Sequence, residues 1–198
     1  MAGLLAGSSI ILPRRFSASA FWSALATYDA TWFNAVPTIY SILLNRPKEE
    51  AENLDLSKIK FGRSASAAFP VSVLHNFRDR FNIDIIETYG ITETASQVST
   101  NPKETSKQKA GSVGKAQGCQ VKIINQEGQE LPPGQEGEIM VKGENVMKGY
   151  YKNPEATAEA MTPDGWFHSG DLGSLDENGV VFIAGRIKEL IIRGGKNI

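Results

Sequence analysis

The first half of the chain alternates between short apolar runs and segments whose apolar residues recur with helical spacing. The runs predict strands at residues 9–12, 31–36, 58–63 and 83–89. The helical spacing predicts helices at residues 18–28 and 71–81, and a third helix that begins at Pro37 and stops before Arg46 and Pro47. The charged residues 47–57 predict a surface loop. This alternation predicts a parallel sheet covered by helices, with ligands beyond the carboxyl ends of the strands.

The pattern changes after residue 101. Residues 102–110 are polar and predict a connection, after which short strands at residues 121–125, 137–142 and 180–184 are separated by glycine-containing turns. A helix at residues 154–161 starts with Asn153 as a favourable cap. We therefore predict an α/β plus β fold, with a partial parallel sheet and flanking helices in residues 1–103. A small antiparallel, barrel-like subdomain follows in residues 104–185.

Composition narrows the possible functions. The 198 residues are 41% hydrophobic and 22% charged, which is typical of a globular protein, and a net charge of -1 offers no general attraction for nucleic acid. The single cysteine, Cys119, excludes an internal disulfide and a cysteine-based zinc cluster. Residues 1–13 are apolar, but they lack the about 20 apolar residues of a membrane span and the leading positive charge of a signal peptide. We expect no integral membrane segment and a cytoplasmic location, with the peroxisome or the mitochondrial matrix as alternatives.

A polar segment at residues 89–94 follows an apolar predicted strand. Gly90 allows a sharp turn that leaves polar side chains beyond the sheet edge. Thr92 and Glu93 could hold a phosphate and its magnesium ion there, because Mg²⁺ prefers one or two carboxylates together with phosphate oxygens. Tyr89 offers a flat face on which a base could stack. The alternative is that Thr92 and Glu93 only start a helix.

Small residues follow the predicted strand at residues 58–63. They are Ser64, Ala65, Ser66, Ala67 and Ala68. Small side chains permit the close approach of a flat ligand, but they also suit a tight turn between a strand and a helix.

An acid and a base near the end of the chain could grip a diol. Asp171 lies in a predicted glycine-flanked turn, and Arg186 ends the next strand pair. A carboxylate that accepts hydrogen bonds from two adjacent hydroxyls, beside a donating guanidinium, would hold a ribose. A plain ion pair between the two turns is the alternative. His168 has no partner that is evident from the sequence, which favours a structural role.

Three segments together resemble those that mark the adenylate-forming enzymes: acyl-CoA synthetases, luciferases and the adenylation domains of peptide synthetases. They are residues 89–94, 165–171 and 185–198, in the order in which that family has them. Supporting segments extend the resemblance over essentially the whole chain. These are residues 36–38, 111–114, 137–139 and 149–155.

The resemblance implies a two-step ligation. A carboxylic acid first attacks the α-phosphate of ATP, giving an acyl-adenylate and pyrophosphate. The thiol of coenzyme A then displaces AMP and forms a thioester. ATP, Mg²⁺ and coenzyme A are therefore the expected cofactors and co-substrates, and a small-molecule carboxylic acid is the expected partner.

The resemblance also implies residue roles. Tyr89 would stack on the adenine, and Gly90 would belong to the same cofactor-binding segment. Thr92 would bind the phosphate and Glu93 would serve the magnesium ion, which makes these two the expected catalytic residues. The adenine and acyl pocket would be lined by Ser64, Ala65, Ser66 and Ala67.

The resemblance also implies roles for residues near the end of the chain. Asp171 and Arg186 would hold the ribose hydroxyls. Lys188 would lie at a hinge, and Gly195 on a lid loop that reaches the pantetheine tunnel. Residues 186–198 would then be the hinge and the start of a C-terminal lid.

Two segments of the family have no counterpart in this sequence. One is a glycine-, serine- and threonine-rich phosphate loop that ends in Pro-Lys-Gly, and the other is a lysine on the lid. We therefore expect the chain to be an internal part of an enzyme, with negligible ligase activity by itself. Apolar surface left exposed would make self-association a risk.

The acid substrate is predicted less sharply. Residues 31–39 and 185–195 resemble the oxalate–CoA ligase branch. That branch typically has Tyr-Ala-Met-Thr-Glu-Ala and then a histidine, where this chain has Gly90, Ile91, Thr94 and Ser96. The departure removes a cationic or donor side chain that would suit a second carboxylate. We therefore expect a general fatty or short-chain acyl-CoA synthetase, with oxalate as the alternative. A non-catalytic nucleotide-binding or interaction module is the alternative from another class.

Overall fold

The computed structural model describes residues 2–65, 69–187, 192–193 and 196–197. The helices are α1 Ala2–Leu5, α2 Ala18–Thr27, α3 Pro37–Leu44, α4 Glu49–Glu52, α5 Val71–Phe81 and α6 Pro154–Ala160. The strands are β1 Trp32–Ala35, β2 Phe61–Ser64, β3 Ile85–Tyr89, β4 Ser99–Thr100, β5 Lys115–Ala116, β6 Gln120–Ile124, β7 Gly137–Lys142, β8 Phe167–Leu175, β9 Val181–Arg186, β10 Ile192–Arg193 and β11 Lys196–Asn197. Among the described residues, no helix combines the length and the apolar character that a membrane crossing requires.

The first sheet has the strand order β1-β2-β3-β4-β5. Strands β1, β2 and β3 run parallel, whereas β4 and β5 extend the sheet in antiparallel fashion. Residues from α2, α3, α4 and α5 pack with β1 and β3 in one hydrophobic cluster. The predicted parallel sheet with covering helices is therefore confirmed.

Phe77 is the centre of this cluster, with no exposed surface. Its ring centroid lies 4.9 Å from that of Tyr40, 4.7 Å from that of Phe81 and 6.1 Å from that of Trp22. The Tyr40 hydroxyl in turn donates to the Arg63 carbonyl at 2.9 Å. Aromatic packing thus joins α2, α3 and α5, and the hydrogen bond from Tyr40 connects them to β2.

The second sheet has the order β6-β7-β8-β9, and each neighbouring pair is antiparallel. Its core residues Ile123, Ile139, Val141 and Val181 pack with Tyr89 and Val98. The predicted antiparallel part is confirmed, and its described strands form an open sheet. Because this core includes residues on both sides of position 103, the proposed domain boundaries stay a prediction.

The predicted strand at residues 9–12 is wrong. Ile10 and Leu12 are 55% and 87% exposed, and none of the described strands pairs with this segment. An apolar run becomes a strand only where a neighbour supplies hydrogen bonds and cover. The exposed side chains agree with the expectation of uncovered apolar surface, while self-association stays a prediction. The charged loop predicted at residues 47–57 contains the one-turn helix α4, which buries Ala51.

The predicted turn at Asp171 is also wrong, because this residue lies inside the nine-residue strand β8. Two glycines obscured the strand pattern. Gly170 has a φ of +70°, and a Cβ on Gly173 would lie 2.3 Å from the Phe182 carbonyl oxygen. Glycine here serves an irregular strand rather than a chain reversal.

Glu87 is a buried acid on β3, two residues before Tyr89 and opposite Ser64 in the register. It is only 5% exposed. Burial raises the pKa of its carboxyl to about 7, although the nearby Arg78 guanidinium acts in the opposite direction. The Glu87 carboxyl therefore stays uncharged up to a higher pH than an ordinary glutamate does.

Removing the central ring should destabilise the fold strongly. Phe77→Ala leaves a cavity among four aromatic rings, so we expect the free energy of unfolding to fall by about 3–5 kcal/mol in urea titrations. Phe16→Ala is the matched control, since Phe16 is 39% exposed. Equal effects of the two substitutions would contradict this description of the core.

Stability should also depend on the charge of Glu87. Its pKa of about 7 lies above the ordinary value of 4.5, so the folded state binds more protons than the unfolded state between these pH values. The free energy of unfolding of the wild type, relative to Glu87→Gln, should therefore fall by about 3 kcal/mol from pH 4 to pH 8. Glu127→Gln, in an exposed turn, is the control. A pH-independent difference between wild type and Glu87→Gln would rule out this titration.

Candidate functional site

Asp171 is the point at which three strands meet. Tyr89 ends β3, and its hydroxyl donates a hydrogen bond to Asp171 Oδ2 at 2.6 Å. Arg186 ends β9, directly opposite Asp171 in the register, and its Nε donates to Asp171 Oδ1 at 2.9 Å. The structure therefore brings Tyr89 of the first sheet to Asp171 and Arg186 of the second sheet, although Tyr89 and Asp171 are 82 positions apart in the sequence.

The carboxylate and the guanidinium differ sharply in exposure. The side chain of Asp171 is 7% exposed and that of Arg186 is 56% exposed. The ion pair expected as the alternative to a diol grip is therefore present. The two readings are compatible, because a carboxylate can accept about four hydrogen bonds and these two donors occupy one on each oxygen.

Tyr89 is a protonated donor to this carboxylate. Burial raises the pKa of its hydroxyl, and the hydrogen bond and negative charge of Asp171 raise it further. The residue is 8% exposed and packs into the second hydrophobic cluster. Its hydroxyl is thus fixed, and the stacking of its ring on a base stays a prediction.

Gly90 is required by a close approach of the backbone. A Cβ at this position would lie 1.6 Å from the Ser96 carbonyl oxygen, which excludes any other residue without a shift of the chain. Residues Thr92–Thr94 form a single 3-10 turn, after which Ala95 and Ser96 adopt positive φ values of 51° and 90°. The helix that was expected as the alternative is therefore only one turn long, and it leaves Thr92 exposed.

Glu93 links this turn to the second half of the chain. Its Oε1 accepts a hydrogen bond from the Tyr150 hydroxyl at 3.1 Å, and its carbonyl accepts one from the Met147 amide at 2.7 Å. The half-buried carboxylate fits the donor set that Mg²⁺ takes with a nucleotide, one carboxylate completed by phosphate oxygens and water. Among the described residues there is no group of three or more His, Cys, Asp or Glu side chains that would hold a metal without such a ligand.

The remaining predicted contacts are partly outside the described residues. Ser64 is 2% exposed, and within the described part of the chain its hydroxyl has no hydrogen-bond partner. Ala65 is half-buried beside it. The positions outside the described residues are Ser66, Ala67, Lys188 and Gly195.

Sequence reasoning missed Glu138. Its Oε2 lies 2.9 Å from His168 Nδ1, so His168 has the acidic partner that was not evident from the sequence. The two residues are 30 positions apart and meet only through the pairing of β7 with β8. The one available signal was the position of Glu138 within the supporting segment at residues 137–139.

Known relatives of this chain are CoA ligases. It is 47% identical over 198 residues to the sulfoacetate–CoA ligase of Cupriavidus necator, and the match covers 100% of this chain and 38% of that protein. It is 42% identical over 205 residues to the oxalate–CoA ligase of Arabidopsis thaliana, covering 100% of this chain and 40% of that protein. The chain thus spans about two fifths of the length of these curated relatives.

Solved structures agree with this relationship. ATP-bound MatB from Rhodopseudomonas palustris matches with a TM-score of 0.87 and 35% identity, covering 99% of this chain and 38% of that one. The O-succinylbenzoate–CoA synthetase MenE of Bacillus subtilis, in complex with ATP and a magnesium ion, matches with a TM-score of 0.85 and 34% identity, covering 99% of this chain and 40% of that one. A family model described as AMP-binding enzyme matches residues 1–151. The chain therefore belongs to the AMP-binding enzyme family, the adenylate-forming enzymes.

Proposed function

We propose that this chain supplies the ribose- and phosphate-binding side of an AMP-forming acid–CoA ligase. The observation that carries the proposal is the buried Asp171 carboxylate, held by Tyr89 and Arg186 and still able to accept further hydrogen bonds. Two adjacent hydroxyls of a ribose would complete its acceptor capacity. Family membership and the CoA ligases among the relatives support the same function.

The other residues would bind or support different parts of the nucleotide. Arg186 and Tyr89 orient the carboxylate, each through one hydrogen bond to a different oxygen. The exposed hydroxyl of Thr92 is available to a phosphate oxygen, and Glu93, steadied by Tyr150, would hold Mg²⁺. When bound, the ion would neutralise charge on the phosphates. The small side chains of Ser64 and Ala65 would permit a flat adenine or acyl group to approach the strand ends closely.

The complete reaction needs more polypeptide than these 198 residues. The chain covers 38–40% of its CoA-ligase relatives, and no glycine-rich loop ending in Pro-Lys-Gly occurs in it. Electrostatic stabilisation of the transferring group depends on donors of that kind. We therefore assign binding to this chain, and acyl-CoA synthesis to the whole enzyme of which it would form a part.

For the acid substrate, two alternatives follow from different observations. The names of two relatives, for sulfoacetate and oxalate, favour a short acid with a second anionic group. Ser96, in place of the histidine of the oxalate branch, favours a general fatty or short-chain acid, and the structure leaves this serine exposed in the turn after Thr94. Thioester formation by the complete enzyme on sulfoacetate, oxalate and saturated fatty acids would separate these alternatives.

The chain should bind AMP through Asp171. We expect Asp171→Ala to raise the Kd for AMP at least about tenfold in calorimetry, because the ribose hydroxyls lose their charged acceptor. Asp164→Ala is the matched control, since Asp164 is an exposed acid in the turn before β8. Urea titrations of both variants separate a lost contact from a lost fold. No AMP binding by the folded wild type at millimolar concentration would support the alternative of an inert interaction module.

The chain alone should not catalyse ligation. With ATP, coenzyme A and any acid, AMP release should stay at the level of the Thr92→Ala variant, because the donors for the transferring phosphate are missing. Chromatographic detection of AMP measures this directly. Release above that control, dependent on both ATP and coenzyme A, would show that these residues suffice for the chemistry.

A further inference from the structure

The strand that carries Asp171 is irregular just where this residue lies. Glu138 pairs with Leu172, and Met140 pairs with His168. Between these pairs β7 contains only Ile139, whereas β8 contains Ser169, Gly170 and Asp171. Two extra residues therefore bulge from β8, and regular ladder hydrogen bonds cannot fix them.

Side chains replace the ladder bonds that the bulge loses. Ser169 Oγ donates to the Ile139 carbonyl at 2.6 Å, and the Asp171 amide donates to Ser169 Oγ at 3.1 Å. The Gly170 amide donates to Glu138 Oε1 at 3.1 Å. Ser169, Gly170 and Asp171 are thus all held by polar contacts with β7 or with one another.

Each oxygen of the Glu138 carboxylate contacts a residue in the bulge or directly before it. While Oε1 accepts from Gly170, Oε2 accepts from His168 Nδ1 at 2.9 Å, since a carboxylate only accepts. The side chain of Glu138 is 19% exposed and that of His168 is 33% exposed, so both are partly shielded from water. Gly170 needs such support, because its φ of +70° departs from strand geometry.

We propose that Glu138 is a positioning residue for the nucleotide site, which sets the orientation of Asp171 by clamping His168 and Gly170 on either side of Ser169. This inference rests on the proposed function, in which Asp171 receives the ribose hydroxyls. The contacts of the Glu138 carboxylate are with His168 Nδ1 and the Gly170 amide, and not with the Asp171 carboxylate. Its effect is exerted through the backbone of the bulge.

The first test compares AMP with 2′,3′-dideoxy-AMP, which lacks the diol. Glu138→Ala should raise the Kd for AMP about tenfold and leave that for dideoxy-AMP unchanged, because only the diol needs a correctly oriented Asp171. Glu138→Gln should stay within about threefold of wild type, since its amide oxygen still accepts from Gly170. Glu144→Ala, an exposed acid just beyond β7, is the control. Equal loss for both nucleotides would overturn the proposal, because a general structural defect does not distinguish them.

The second test needs no nucleotide. In Glu138→Ala, NMR should show amide hydrogen exchange of Gly170 accelerated at least about tenfold and a changed carboxyl ¹³C shift of Asp171, with neither change in Glu144→Ala. Wild-type exchange at Gly170 together with an unchanged Asp171 shift would overturn the proposal. Equal affinity of the wild type for the two nucleotides would instead overturn the diol grip of the proposed function, and the exchange data would still decide the role of Glu138.

Discussion

Burial of the Asp171 carboxylate is the constraint on which the arrangement of this molecule depends. A charged carboxylate withdrawn from water costs several kcal/mol unless donors surround it. The structure supplies one donor from each sheet, Tyr89 at the end of β3 and Arg186 at the end of β9. The same two hydrogen bonds therefore stabilise the charge, join the sheets and leave acceptor sites for a ligand.

The contact between the two sheets at Asp171 also places the residues expected to bind the phosphate. Tyr89 can reach Asp171 because β3 ends at the second hydrophobic core, in which Tyr89 packs with Val98 and Ile139. Gly90 then lets the chain fold back so closely that the Ser96 carbonyl occupies the place of a side chain. Thr92 and Glu93 lie in the 3-10 turn between Gly90 and Ser96. The Tyr150 hydroxyl, from the second half of the chain, donates a hydrogen bond to Glu93. The residues expected to serve ribose and phosphate thus share a single scaffold.

Local sequence patterns predicted helices α5 and α6 closely. Helix α5, Val71–Phe81, was found at its full extent, because its apolar spacing is unbroken and Pro70 precedes it. The cap at Asn153, whose side chain accepts from the Ala156 amide, located α6 in the same way. Strand β8 was missed, because its glycines imitate a turn and its bulge breaks the alternation of inward and outward residues. Glu138 was missed for a different reason: only strand pairing brings it to His168, and local sequence does not encode the pairing.

The Asp171 carboxylate is proposed as the ribose acceptor, and an experimental structure of the chain with AMP tests this proposal directly. We predict both ribose hydroxyls within hydrogen-bonding distance of the Asp171 oxygens, with the contacts from Tyr89 and Arg186 retained. An AMP molecule whose ribose lies away from Asp171, or one that displaces Tyr89 from the carboxylate, would contradict the account.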